Sequence, residues 1–144
     1  MQNNHDILIV AGPVIVEDGK VLLIREKKAD GPLTPWFFPG GKVENFDLTL
    51  EETAVRECQE EMGIKIEILR PLSPLLMRRP EAPEKFVILI HYLARRIGEI
   101  NPSPQVAEWR WIPLNELPAE GAPNVQTIIN ELKKEYALPA SPKI

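Results

Sequence analysis

Between Gly40 and Gly63 the chain is committed to one local structure, a glycine bend feeding a short helix, and the other segments have to be accommodated around it. Thr49-Leu50-Glu51-Glu52 reads as a capping box: Thr49 at the N-cap and Glu52 at N3 each satisfy the other's backbone N–H. The helix is therefore predicted to start near Leu50. Gly63 ends it, because glycine takes the left-handed conformation after a helix at little cost. At about 100° per residue, Glu57, Glu60 and Glu61 share an arc of roughly 100°, while Val55, Cys58 and Met62 cluster on the adjoining one. One face packs and its neighbour carries three carboxylates.

Like charges at this spacing cost a helix some tenths of a kcal/mol, so a cation is expected beside them. Clustered oxygen donors suit a hard divalent ion, Mg²⁺ or Mn²⁺, which combines a few carboxylates with water and phosphate oxygens. Gly40-Gly41 lets a backbone approach an ion or a phosphate closely, since neither residue has a Cβ. Taken singly, a glutamate-rich helix face is ordinarily a solvated surface and a Gly-Gly pair a turn. Their combination, in order and at near-fixed spacing, carries the functional reading.

That combination resembles the Nudix box: Gly, five residues, Glu, seven residues, Arg-Glu, an apolar residue, any residue, Glu-Glu, any residue, Gly, an apolar residue. Gly41, Arg56-Glu57, Cys58, Glu60-Glu61 and Gly63-Ile64 match it, and Trp36, Pro39-Gly40 and Glu44 resemble its usual surroundings. The departure is in the linker, where Lys42 to Val55 is one residue longer than the family's thirteen. Counted forward from Gly41, the first box glutamate becomes Asp47; counted back from Arg56, it becomes Leu48. The insertion thus puts the partner of Arg56 in question more than it does the metal site.

The resemblance implies an α/β/α sandwich with a mixed β-sheet between helices, and metal-dependent hydrolysis of a diphosphate linkage in a nucleoside diphosphate derivative such as a nucleoside triphosphate or ADP-ribose. It implies Mg²⁺ (or Mn²⁺) held by Glu57, Glu60, Glu61 and a carbonyl of the Gly40-Gly41 bend, Gly41 in the first place. Arg56 would orient the glutamates, and Lys42 or Arg78 would contact phosphate. Glu108-Trp109-Arg110-Trp111-Ile112-Pro113-Leu114 resembles the family segment whose glutamate faces the metal, which assigns that role to Glu108. The general base stays open among Glu60, Glu61 and Glu108. Two other classes remain alongside: a Nudix-fold module that binds a nucleotide without cleaving it, and an isoprenoid diphosphate isomerase-like enzyme. Pro80, sixteen positions beyond Ile64, resembles a spacing of the ADP-ribose-cleaving subgroup, in a segment where four prolines make coincidence a competitor.

Length and composition bound these readings. The 144 residues, 44% hydrophobic and 26% charged, suit one domain with a proper core, taken as 1–144 with a core of 5–137 and a tail of 138–144. A net charge of −4 argues against nucleic-acid polymers and anionic membranes as partners; a small nucleotide or diphosphate is expected, with a homodimer open as an alternative to a monomer. Cys58, the single cysteine, excludes an internal disulfide and a cysteine-based zinc site, and a reducing cytoplasm is the default location. The apolar run Ile7 to Val16 is too short for a membrane anchor and lacks the basic flank of a signal peptide.

In chain order, Ile7 to Val16 is predicted as a strand interrupted at Gly12-Pro13, followed by an Asp18-Gly19 turn and a strand Val21 to Arg25. Arg25 at its end is placed to reach phosphate or simply to be solvated. Trp36, Phe37 and Phe38 read mainly as packing aromatics, with base stacking by Trp36 the minor alternative. Lys65 to Leu69 alternates like a half-exposed strand. Residues 70–84, with four prolines and the basic Arg78-Arg79, read as a loop with at most a short strand at Leu75 to Met77, either a lid over an anionic substrate or solvated. Phe86 to Arg95 is predicted deep in the sheet, with His91 a hydrogen-bonded strand residue. Val106 to Ile112 forms a further strand, and Asn124 caps a last helix, Val125 to Tyr136, packed through Ile128, Ile129 and Leu132.

Overall fold

The first strand, β1 (Ile7–Glu17), turns into β2 (Lys20–Glu26) through Asp18 and Gly19. Both turn residues have positive φ, 52° and 74°, the pair that a two-residue hairpin of matching twist requires. The computed structural model describes residues 7–79, 82–116 and 118–137. They form two compact units, residues 7–15 with Pro39–Ser103 and Val16–Phe38 with residues 104–137. Residues 5, 6 and 138–144 of the expected core and tail, and Pro80, lie outside the described residues.

The first unit contains β3 (Gly41–Lys42), α1 (Leu50–Met62), β4 (Lys65–Pro71), β5 (Leu75–Arg79) and β6 (Ala82–Ile97). Strand β6 is its axis: β1 runs parallel to it, while β4 and β5 pair with it antiparallel, so the sheet is mixed. Helix α1 lies on this sheet through Ala54, which packs with Ala11 and Tyr92 while Leu50, Ile68 and Ile90 close around them. Cys58 and Met62, predicted to pack, are fully buried; Val55 is half-buried and Ala54 takes its place in the core.

Three expectations change here. β1 is not interrupted at Gly12-Pro13, since Gly12 stays in register with His91 and Pro13 with Tyr92. The antiparallel neighbours of β1 stop at Val10 and Ala11 on one side and start at Val16 on the other, so the N–H that Pro13 lacks removes no antiparallel ladder bond. Residues 70–84 are largely strand, with Arg78 and Arg79 on β5: Pro71 ends β4 and Pro83 stands near the start of β6, where a missing N–H is tolerated. And β6 is deep only over His91 to Ala94; Phe86 to Ile90 are half-buried.

The second unit pairs β2 antiparallel with β7 (Val106–Pro113), from Lys20 opposite Pro113 to Arg25 opposite Glu108. It ends in α2 (Pro123–Ala137). Asn124 is inside this helix rather than at its cap, because Pro123, with its fixed φ and no N–H to satisfy, is pre-organised for the first position. Val125, Ile128, Ile129 and Leu132 form the buried stripe. Among the described residues no helix is long and apolar enough to cross a membrane.

Candidate active site

Helix α1 is pinned at both ends, which fixes the direction of its glutamates. The Glu52 amide donates to Thr49 Oγ1 at 3.0 Å and the Thr49 amide to Glu52 Oε1 at 2.9 Å, completing the capping box. At the other end Gly63, with φ 70°, donates its N–H to the Gln59 carbonyl at 2.9 Å.

The glycine bend lies directly against the acidic row. Gly40 N–H donates to Glu61 Oε1 at 2.9 Å, and a Cβ at Gly41 would stand 2.1 Å from Glu57 Oε1. Two carboxylates one helical turn apart thus abut the same short piece of backbone, and neither glycine tolerates a larger residue there. Gly12 makes the bend possible from the other side, because a Cβ on it would meet the Pro39 carbonyl oxygen at 2.1 Å. Arg56 spans the row: Nη2 is 3.1 Å from Glu57 Oε2 and Nη1 is 3.3 Å from Glu60 Oε2.

Charge remains unbalanced. The Glu57 carboxyl is raised above its usual range by burial, with Arg56 opposing the shift and the charges of Glu60 and Glu44 adding to it. A half-buried carboxylate held so is one that a cation relieves. Glu44 was recognisable only as part of the surroundings of the box; that its charge acts on Glu57 depends on the path of the 43–49 loop, which no spacing rule gives.

Among the described residues, no three His, Cys, Asp or Glu side chains are gathered into a ready-made metal cluster. Helical phase alone suggested such a convergence; instead Glu60 turns to Arg56 while Glu57 and Glu61 meet the glycine bend. The donors fit a hard divalent ion nonetheless, because Mg²⁺ is typically held by one or two carboxylates, with water and substrate phosphate oxygens completing its shell.

Asp47 does not stand in for the first box glutamate. It is exposed, its amide donates to Asn45 Oδ1 at 2.9 Å, and the acidic partners of Arg56 are Glu57 and Glu60. Arg56 Nε is buried with no hydrogen-bond partner.

In the second unit Glu108 pairs with Arg25, Oε1 to Nη1 at 3.7 Å. Arg25 is further held by Glu120 at 3.1 Å and by the Thr34 carbonyl at 2.8 Å, and its guanidinium lies 5.4 Å from the Trp36 ring centre. Arg110 lies 5.1 Å from the same ring. Trp36 is buried, as the packing reading expected, but the arginine pair around it and the part of Glu120 were not legible in the sequence, since they join residues up to 95 positions apart. Of the remaining residues expected at phosphate, Lys42 is exposed on β3 opposite Val10. Arg78 donates to the Pro83 carbonyl at 2.8 Å and lies over Phe86 at 5.0 Å. The Cys58 thiol is pushed up to about 12 by burial, with the charge of Glu61 adding, which removes it from thiolate chemistry.

A family model, the NUDIX domain, matches residues 7–132. The chain belongs to the Nudix family. It is 34% identical over 116 residues to an ADP-ribose pyrophosphatase of Methanocaldococcus jannaschii, covering 79% of this chain and 66% of that protein. It is 34% identical over 87 residues to a putative mutator protein MutT4 of Mycobacterium tuberculosis, covering 58% of this chain and 35% of that one. This Nudix chain therefore spans about two thirds of the first relative's length and about a third of the second's. Among solved structures, a MutT Nudix hydrolase from Burkholderia pseudomallei is 26% identical with a TM-score of 0.76, covering 89% of this chain and 99% of its own. A MutT protein from Methanosarcina mazei Go1, 23% identical, has a TM-score of 0.79 and covers 94% and 99%. The fold class is that of these Nudix structures, a mixed β-sheet with two helices.

Proposed function

We propose that this Nudix chain is a metal-dependent hydrolase that cleaves the diphosphate linkage of a nucleoside diphosphate derivative, with a nucleoside triphosphate or ADP-ribose as the first candidates. The observation that carries the reading is the placement of Glu57 and Glu61 against the Gly40-Gly41 bend, one carboxylate half-buried beside more negative than positive charge. Glu57 and Glu61 would hold Mg²⁺ or Mn²⁺, with Glu60 and the Gly41 carbonyl within the same bend-and-helix region. Such an ion supplies neutralisation of the diphosphate oxygens and a more acidic water. Arg56 orients Glu57 and Glu60, and the Gly40 amide orients Glu61. Water adds to phosphorus as the bridging P–O bond breaks, and the water's proton passes to Glu60, Glu61 or Glu108. Lys42, exposed beside Gly41, offers a cation to the phosphates. We place the protein in the cytoplasm on the strength of its single buried thiol, as a monomer or a homodimer.

The test is a screen of nucleoside triphosphates, ADP-ribose, dinucleoside polyphosphates and sugar nucleotides with Mg²⁺ or Mn²⁺, following phosphate-containing products. Turnover of at least one substrate that stops on chelation supports the reading. Binding of nucleotides without product would return the chain to the non-hydrolytic class. Glu60→Gln, Glu61→Gln and Glu108→Gln then identify the base as the residue whose loss abolishes kcat while Mn²⁺ affinity persists.

A further inference from the structure

The second unit contains a cavity of about 360 Å³ between β7 and the 113–120 segment that the reaction above leaves unused. We propose that this cavity, lined among others by Trp36, Arg110, Trp111, Glu116 and Glu120, receives an amino-bearing nucleobase of the substrate, an assignment that rests on the hydrolase reading. Its size is at the lower end of ligand pockets, which run from about 300 to 1,000 Å³, enough for a base with its sugar.

The lining selects the chemistry. Trp111, Ile112, Pro113 and Pro118 give flat apolar walls. Trp36 is 6% exposed, with Arg110 and Arg25 over its ring, so the indole itself offers little face to a ligand. Arg110 is exposed and backed by that ring, and a guanidinium plane is a stacking platform for bases. Glu116 and Glu120 put carboxylates on the same cavity, and Glu120 is held in place by Arg25 at 3.1 Å. Two carboxylates repel a phosphate and accept hydrogen bonds from N–H groups. The occupant that suits stacking, small volume and acidic acceptors is a neutral planar ring with exocyclic amino groups: adenine, guanine or cytosine ahead of uracil.

Two of the three tryptophans line the cavity, and the third, Trp109, does not. A Trp109→Phe background therefore makes indole emission a local reporter. Titration with AMP, GMP, CMP and UMP, without divalent metal, should quench saturably with the amino-bearing bases bound more tightly than UMP, and ribose 5-phosphate should not quench. Arg110→Ala, at an exposed position, should weaken AMP binding and raise KM for an adenine-containing substrate about tenfold, the scale of one lost base stack, while kcat stays within about twofold. Glu116→Gln should narrow the gap between AMP and UMP. Absence of base-dependent quenching together with an unchanged KM in Arg110→Ala overturns the subsite and leaves the hydrolase reading intact. Saturable AMP quenching in a protein that cleaves no nucleoside diphosphate derivative overturns the hydrolase reading and keeps the subsite.

Discussion

Two clusters in this molecule set arginine against glutamate, and they differ in balance. In the first unit one guanidinium, Arg56, is shared by Glu57 and Glu60, with Glu44 adding its field and Glu61 meeting the Gly40 amide. In the second unit Arg25 and Arg110 stand with Glu108 and Glu120 around Trp36. Only the first shows a carboxyl pushed upward, with burial ahead of all other causes. A balanced cluster has its charge compensated within the protein and serves to hold side chains in place. An unbalanced one stores unfavourable energy that a cation releases, so the excess of carboxylate over guanidinium separates a ligand site from a structural network more cleanly than the number of acidic residues does.

The largest effect that sharpens this contrast is on turnover. Glu57→Gln and Glu61→Gln are each expected to lower kcat/KM about a thousandfold, as removal of a preorganised electrostatic group does, and to abolish the rise in Tm on adding Mn²⁺. Glu120→Gln, in the balanced cluster, is expected to change kcat by less than about tenfold and to leave the Mn²⁺-induced rise in place. Steady-state kinetics and thermal melts on the same preparations decide it: equal damage from Glu120→Gln and Glu61→Gln would erase the distinction.

Next in size is a response to acid that belongs to the first unit. His91 is buried in β6 and its imidazole is lowered to about 4 by that burial. In the unfolded chain it takes up a proton near 6.5, so between these values the unfolded state binds more protons and stability falls as pH falls. The contribution is fully present above pH 6.5 and is lost progressively down to about pH 4, where it reaches up to about 3 kcal/mol. The sequence of the second unit has no histidine. Hydrogen exchange at pH 5 should accordingly show a larger loss of protection in β6 than in β2 and β7, and His91→Gln should reduce that difference. Uniform loss across both units would remove His91 as its cause.

Two glycines separate fold from chemistry within the first unit. At Gly12 an added Cβ meets backbone, the Pro39 carbonyl oxygen, and at Gly41 it meets the flexible end of Glu57. Backbone cannot step aside, so Gly12→Ala should cost about 1–3 kcal/mol of stability. Gly41→Ala should leave denaturant midpoints close to the parent, because Glu57 can swing away, while lowering turnover and Mn²⁺ affinity about tenfold.

Local signals made much of this legible. The capping box at Thr49, the glycine end at Gly63 and the spacing of Glu57, Glu60 and Glu61 depend on neighbours within one or two turns, and α1 came out as read. What was not legible depends on distant partners. The continuity of β1 through Gly12-Pro13 is decided by where β2 and β3 stop pairing, the strand character of 70–84 by the presence of β6 alongside, and the Arg25 network by Glu108 and Glu120. The helix phase correctly put three carboxylates on one arc, yet side-chain direction then divided them between Arg56 and the glycine bend. Periodicity gives a residue's face; its partner is a tertiary fact.

The smallest expected effect concerns the one-residue insertion, and it tests whether the excess of carboxylate at Arg56 is already sufficient. Asp47 is exposed and takes no part in the ion pairs of Arg56, so Asp47→Ala should change stability by less than about 0.5 kcal/mol and leave turnover as it was. The buried Nε of Arg56 has no hydrogen-bond partner, which costs about 1–3 kcal/mol in a site of this kind. Removing exposed Phe46 to restore the family spacing, together with Leu48→Glu, offers that nitrogen a carboxylate and should raise the denaturant midpoint without raising kcat. A gain in kcat would mean that the inserted loop, rather than the Arg56 pairs seen here, limits how Glu57 and Glu60 are held; a loss of turnover in Asp47→Ala comparable to that of Glu57→Gln would place Asp47 in the machinery despite its exposure.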